Sequence, residues 1–544
     1  MPKSPKHLVS YAAMVAALGA IVAVPLFATS AGAADDHGVT VGTDSRHDVS
    51  PPLSQLASQA APATPRAPDI DALNPRIPHT HVDAADPAVQ SRAAAPNMPA
   101  PILNFNGIQY PGVNCFCAPP DTNGEVGATQ YVQIVNEGLQ VFDKGTGASL
   151  LGPISITSLW SGFGGVCETA GDGDPVILYD QIAGRWVVTQ FAGSGVPTDE
   201  CIAVSTTSDA TGTFNRYDFH LGSNFFDYPK LGVWPDAYYM AMNVFNSSGT
   251  AFLGPQPFAF DRSAMLAGTT ATFVTTGIAG AGANEETFLP ADLDGSTLPP
   301  AGAPNSFVEW PGGASGNNYK VWHFHVDFAN PTSSTFTQFA TVAAAGFTQL
   351  CATAACIPQP STGSKLDALG DRLMFRAAYR NFGDHESLVS NYSVSTGNGA
   401  KSRAGVRWFE LRNVTNGPVT KYQESTYAPN DGVYRWMGSA AMDKNGDLAV
   451  GFSTSNKSTV FPSLRYAGRL STDPLNNLSQ GEAVLYDGQG SQSGTSNRWG
   501  DYSDLTIDPV DDCTFWYTNE YYPTGVSQFN WRTRIGKFKF TQCT

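Results

Sequence analysis

The chain has 544 residues, 47 Asp and Glu against 31 Lys and Arg, and a formal net charge of −16. Only 14% of its residues are charged, against about 25% in an average domain. This acidic balance excludes nucleic acid and anionic membrane surfaces as partners, because both select basic patches; it suits a neutral ligand, a cation, or a polysaccharide held by aromatic rings.

Residues 1–33 read as a secretory signal peptide. Lys3, Lys6 and His7 precede an apolar run from Leu8 to Phe27, and small residues at Ala31 and Ala33 form an A-x-A cleavage site. The run is near spanning length, so a membrane anchor is the alternative; Pro25 and the small residues weigh against it. No other segment is apolar enough to span a bilayer, so the protein is expected to be secreted, extracellular or periplasmic, without membrane insertion. Residues 34–100 are rich in Ala, Pro, Asp and Ser and poor in aromatic and β-branched residues. Such a stretch does not bury enough apolar area to offset its chain entropy, and it reads as a linker or pro-segment. His79 and His81 within it read as solvated.

From residue 101 to 544 the composition shifts to Gly, Thr, Ser, Asn and aromatics. Short apolar or alternating runs bounded by Gly, Asn, Asp and Pro mark strands and hairpins. Aligned, they form a repeat: a polar entry, a strand, a tight turn, and a second strand ending in aromatics. Units begin near Asp121, Asp174, Asp227, Asp292, Asp367, Ser439 and Asp501, with successive starts 53 to 75 residues apart. That period predicts an all-β fold, a β-propeller of seven blades with six or eight as alternatives. Paired β-sandwiches are the competing fold, but they would space strands evenly without the longer period.

All eight cysteines lie in this part, and an even number in an exported chain points to disulfides. Spacing favours Cys167–Cys201, Cys351–Cys356 and Cys513–Cys543, although sequence does not fix the pairing. Cys115 and Cys117 are left as a close pair or as partners elsewhere.

The runs "PPDTNGEVG", "GDPVILYDQIAGRW", "DYPKLGVWPDAYY", "FHVDFANPTSSTF", "YRNFGDHESLVSNYSV" and "RWGDYSDLTIDPVDDCTFWYTNEYY" resemble the sialidase-like, Asp-box (BNR-type) β-propeller superfamily, and within it secreted bacterial propeller proteins of unsettled function. The resemblance covers most of residues 119 to 522 and implies the fold. The Asp boxes are degenerate ("TSDATGTF", "SAAMDKNGDLAVGF"), and the arginine triad and Tyr–Glu nucleophile pair of sialidases find no clear counterpart.

In a propeller the first residues of every inner strand converge at one mouth of the central channel. Here they are polar. Asp121, Asp174, Asp501 and Tyr502 are candidate catalytic groups, as carboxylate acid, base or nucleophile with a tyrosine beside them. Arg498 and Arg435 would clamp an acidic group. Trp436, Trp499, Asp227, Tyr228 and Lys230 would complete a sugar-binding rim. The competing role for each Asp is to bond backbone N–H groups and fix neighbouring blades. His385 in "YRNFGDHES" aligns with a turn between second and third strands. His323, His325 and Asp327 share one strand face but favour packing and surface roles over a metal. The turns "DTNGE", "DLDGS" and "DKNGD" resemble pieces of calcium loops without the full pattern, which leaves Ca2+ open as a cofactor. No G-x-S-x-G elbow, H-E-x-x-H helix or P-loop is present.

The composition and this ring predict an exported propeller, expected as a monomer, that binds a polysaccharide or other glycan at one channel mouth and hydrolyses it as a glycosidase. A non-catalytic extracellular binding or adhesion propeller is the alternative.

Overall fold

Tyr238–Phe245, with the sequence YYMAMNVF, is buried at every position. So are Leu448–Ser455 and all but the last residue of Ala404–Arg412. Strands covered on both faces lose the polar alternation of a half-exposed sheet, so these runs must lie between stacked sheets. The computed structural model bears this out. It describes residues 38–59, 69–70, 77, 83–111, 113, 117–193, 196–280, 282–312, 317–397 and 402–544; the expected signal peptide lies outside them.

The protein is a β-propeller. The first sheet is an antiparallel meander of Asn123–Val126, Gln130–Val135, Gly138–Asp143 and Ser149–Ser155. Among the described residues six more four-strand units follow, with inner strands Gly173–Asp180, Phe225–Val233, Phe288–Asp294, Met374–Asn381, Tyr434–Met442 and Asp504–Ile507. The inner strands of the fourth and fifth units pair in parallel, Ala291 to Asp294 against Ala377 to Arg380, which joins these two units into one continuous sheet. The last sheet is completed from the other end of the domain: Leu103–Gln109 pairs antiparallel with Arg532–Lys539 as its outermost strand. Large apolar clusters fill the spaces between successive sheets.

The stretch expected as an unstructured tether is partly built into the fold. Thr40–Thr43 adds to the outer strand of the third sheet, Arg46–Val49 to that of the second, and Val89–Gln90 to that of the fifth. Asp86, in the same stretch, pairs with buried Arg407 at 2.7 Å. Composition missed these strands because each is only two to four residues long and borrows its pairing partner from a blade. They cover edges that would otherwise offer unpaired N–H and C=O groups.

The three disulfides expected from spacing are formed: Cys167–Cys201, Cys351–Cys356 and Cys513–Cys543, with Cα–Cα distances of 5.8, 5.2 and 5.6 Å. Cys117 is also disulfide-bonded, while Cys115 lies outside the described residues. No helix among the described residues is long and apolar enough to cross a membrane.

Candidate functional site

The polar entries of the inner strands share a backbone device. Asp121, Asp174, Tyr228, Met437 and Asp501 hold positive φ values of 47°, 43°, 59°, 51° and 56°, a conformation uncommon for residues with a side chain. Register slips fall beside three of them, at Gly173/Val176, Asp227/Lys230 and Trp436/Ser439. A bulge of this kind re-aims the side chains that follow it. It also sets the correspondence between blades: in the third blade the position matching Asp174 is Tyr228, one residue beyond Asp227, and Asp227 itself is only half-buried. In the fourth blade Asp292 lies near the end of its inner strand rather than at the start.

The ring is closed to solvent. Asp121, Lys230, Tyr502, Trp436 and Trp499 are 0% exposed, Arg435 1%, Tyr228 2%, Arg498 4%, Asp501 7% and Asp174 8%. The loop between the fourth and fifth blades accounts for part of this. Its Leu350, Cys351, Ile357, Leu366, Ala368 and Leu369 pack in one cluster with Tyr228, Trp436, Met437, Trp499 and Tyr502.

Lys230 organises the centre. Its ammonium lies 3.1 Å from the centre of the Tyr228 ring and 3.2 Å from that of Tyr502, and it donates to the Pro229 carbonyl at 3.3 Å. The Tyr502 hydroxyl donates to Asp174 at 3.1 Å, and that of Tyr228 to the Leu373 carbonyl at 3.1 Å. Arg372 lies 4.7 Å from the Tyr228 ring centre and pairs with Asp371 at 2.9 Å. Burial pushes the Asp174 carboxyl up, against the pull of Lys230 and with the help of Asp501. Burial also pushes the Lys230 amine well below its ordinary range, although Asp174 and Asp121 oppose it. Both tyrosines are driven well above theirs, first by burial. Arg498 pairs with Asp501.

Three rim candidates are committed to other partners. Arg435 is engaged by Asp431 and Glu482, each at 2.7 Å. Trp436 and Trp499 pack against each other in a tilted pair with ring centres 6.0 Å apart, Trp499 stacks on Tyr522 and donates to Ser453 at 3.1 Å, and both rings are fully buried. His385 sits in the turn between the first and second strands of its blade, not the second and third, and pairs with Asp384 at 2.7 Å. His323 donates to the Val414 carbonyl at 2.7 Å and stacks on Phe339. Among the described residues the only trio of potential metal ligands within reach of one another is Cys167, Cys201 and Asp218, whose sulfurs form a disulfide.

A second polar tier, not foreseen from sequence, lies further along the inner strands. Arg376 donates to Asp292 at 2.8 Å and to both Asp294 oxygens at 2.7 Å. Asp504 accepts from Asn123 at 3.0 Å. Burial lifts Asp292 to about 6 despite Arg376, and lifts Asp504 and Glu125 well above the carboxylate range. An arginine in the otherwise apolar run "LMFRAAY" was the signal available for this tier.

The mouth face also carries an open cleft of about 760 Å³ between the Cys351–Cys356 loop and the turns of the sixth blade. Gln359, Thr362, Lys365, Tyr434, Lys457 and Thr459 are among its walls. These turns belong to the mouth face because Tyr434–Met442 starts there and Leu448–Ser455 ends there.

No family profile matches the chain, and no curated relative does. Among solved structures it is similar to the phage phi92 endosialidase, at 10% identity and TM-score 0.36 over 67% of this chain and 66% of that one. It is similar to a protein of unknown function from Dyadobacter fermentans, at 11% identity and TM-score 0.31 over 68% and 94%, and to the polysaccharide lyase Uly1, at 10% identity and TM-score 0.29 over 92% and 99%. Likenesses of this extent carry no argument about activity, and the propeller rests on the strand pairing itself.

Proposed function

We propose that this is an exported, seven-bladed propeller that binds carbohydrate on its mouth face without hydrolysing it, and that the central ring is a structural hub. The observation that carries the reading is the saturation of Lys230: two tyrosine faces, a backbone carbonyl and the neighbouring acids already surround it, under a loop that packs on Tyr502 and Trp499. A glycosidase needs two carboxyls facing a sugar with water between or beside them. Asp174 and Asp501 are instead committed to Tyr502 and Arg498. Binding falls to the open mouth-face cleft, whose walls of hydroxyl, amide and tyrosine side chains match the chemistry of sugar hydroxyls.

The test is a glycan screen read two ways, by retention and by product release. Retention without new reducing ends or unsaturated products is the expected result. Release of product that is lost in both Asp174→Asn and Asp501→Asn, with thermal stability intact, would replace this reading with the hydrolytic one.

A further inference from the structure

We infer that the mouth-face cleft takes an anionic saccharide, one carrying carboxylate groups along its chain, and that Lys365 and Lys457 recognise that charge. The inference rests on the reading of the protein as a carbohydrate binder and names the class of sugar.

Three observations point to it. First, Lys365 and Lys457 stand exposed in the cleft wall, and among the described residues neither is held by an ion pair or hydrogen bond. Both are therefore unneutralised cations in a chain of net charge −16. Second, the carboxylate lining the same cleft, Asp431, is already bound by Arg435 at 2.7 Å, so the cleft carries a local positive excess. Third, the cleft is pre-formed. Ser455 donates to the Pro358 carbonyl at 2.9 Å and Ser491 to the Pro360 carbonyl at 2.8 Å. Gln359 and Gln492 exchange bonds at 3.0 and 2.8 Å, and Ile357 bridges to Leu366. The Asn456 side chain fixes the facing turn by accepting from the Ser458 and Thr459 amides at 2.9 and 2.7 Å. A rigid wall loses little entropy on binding.

The polar walls favour a saccharide over an acidic peptide. Peptides are recognised by a sheet edge, by pockets for apolar anchors or, where acidic, by clusters of arginines, whereas this cleft has no arginine among the described residues of its walls and offers hydroxyls, amides and Tyr434, whose own hydroxyl is tied to the Ser402 carbonyl at 3.2 Å and leaves a fixed ring.

The experiment uses the full chain and three probes: an oligogalacturonate, the same oligomer with its carboxyls reduced to alcohols, and poly-glutamate of matched charge. Isothermal titration at low and high salt is run on the wild type, on Lys365→Gln/Lys457→Gln, and on Tyr434→Ala. The expected result is binding of the oligogalacturonate that weakens with salt, falls about tenfold in the double variant, and exceeds that of the reduced oligomer by a similar factor. Both lysines are exposed, so the double variant keeps the wild-type melting temperature. Equal binding of the charged and reduced oligomers, untouched by the lysine changes but lost in Tyr434→Ala, would overturn the anionic assignment and leave the carbohydrate reading standing. Poly-glutamate binding as tight as the oligogalacturonate would overturn the saccharide class. Binding of none of the probes would overturn the anionic assignment, and the absence of any retained glycan in the wider screen would remove the carbohydrate reading beneath it.

Discussion

Lys230 sits 3.2 Å above the centre of the Tyr502 ring, while the hydroxyl of that same tyrosine donates to Asp174. One aromatic residue thus holds a cation on its face and a carboxylate at its edge, and links inner strands of the second, third and seventh blades. Desolvated cation–π contacts of this kind are worth about 2 kcal/mol, and taking the cation away strands the acids around it.

Lys230→Met is therefore expected to lower stability by about 3–5 kcal/mol, the cost of leaving buried carboxylates uncompensated. Tyr502→Phe keeps the ring and loses only the hydroxyl contact, for about 1 kcal/mol. Urea denaturation followed by tryptophan fluorescence orders the two; a Lys230→Met protein with the wild-type midpoint would refute the hub.

Buried acids make stability depend on pH. Burial and the nearby Glu285 push Glu309 up to about 8, and burial with Asp447 pushes Asp443 up to about 7. Each carboxyl holds its proton more tightly folded than unfolded, so its penalty is complete above the folded value and fades as pH falls toward the unfolded one. Lys230, held below its ordinary value, acts in the opposite direction at higher pH. The difference between wild type and Asp443→Asn isolates one acid. The substituted side chain keeps an oxygen to accept from the backbone N–H groups of Asn445 and Asp447, as the Asp443 carboxylate does at 2.9 and 3.0 Å. The variant should gain roughly 1–3 °C relative to wild type at pH 8 and clearly less at pH 5, where the folded carboxyl is protonated and the unfolded one is still mostly ionised; the gain vanishes only below the unfolded value of about 4. A gain that is the same at both values would count against the assignment.

The disulfides should rank by the chain they close. Cys513–Cys543 and Cys167–Cys201 span 30 and 34 residues, worth about 3–4 kcal/mol each by loop entropy. Cys351–Cys356 spans five and is worth about 2 kcal/mol. Paired Cys→Ala variants measured by calorimetry should follow that order. Loss of Cys351–Cys356 should also weaken ligand binding at the adjacent cleft more than its small effect on melting would imply.

Deleting residues 38–59 removes the strands that cover the outer edges of the second and third blades. The truncated chain is expected to melt several degrees lower, roughly 2–6 °C, and to self-associate through the bared edges. Thermal melts and light scattering check the two effects; a monomeric, equally stable truncation would show that the tether is dispensable.

The repeat was legible because most blades begin with a polar residue before a buried run, a pattern that survives variable loops; in the fourth blade the marker Asp292 falls near the end of the strand instead. The disulfide pairs were legible from spacing because each closes a local loop. Much of the site was not. Asp121, Asp174 and Asp501 were found as members of one ring, but their burial was not visible, because the apolar cluster beside them draws Leu350, Ile357 and Leu369 from a loop between two other blades. Trp436 and Trp499 read as sugar platforms because a sequence does not say that two tryptophans will be buried against each other. The role of Arg376 was hidden because its partners Asp292 and Asp294 lie more than 80 residues away.

The outermost strand of the last blade, Leu103–Gln109, comes from the start of the domain, and its partner Arg532–Lys539 from the end. The ring therefore has a clasp whose two halves are made at opposite ends of synthesis. An emerging chain holds its first half idle through more than 400 residues of translation, and pairings of such separation form slowly. The circle therefore locks only after the last blade has been made.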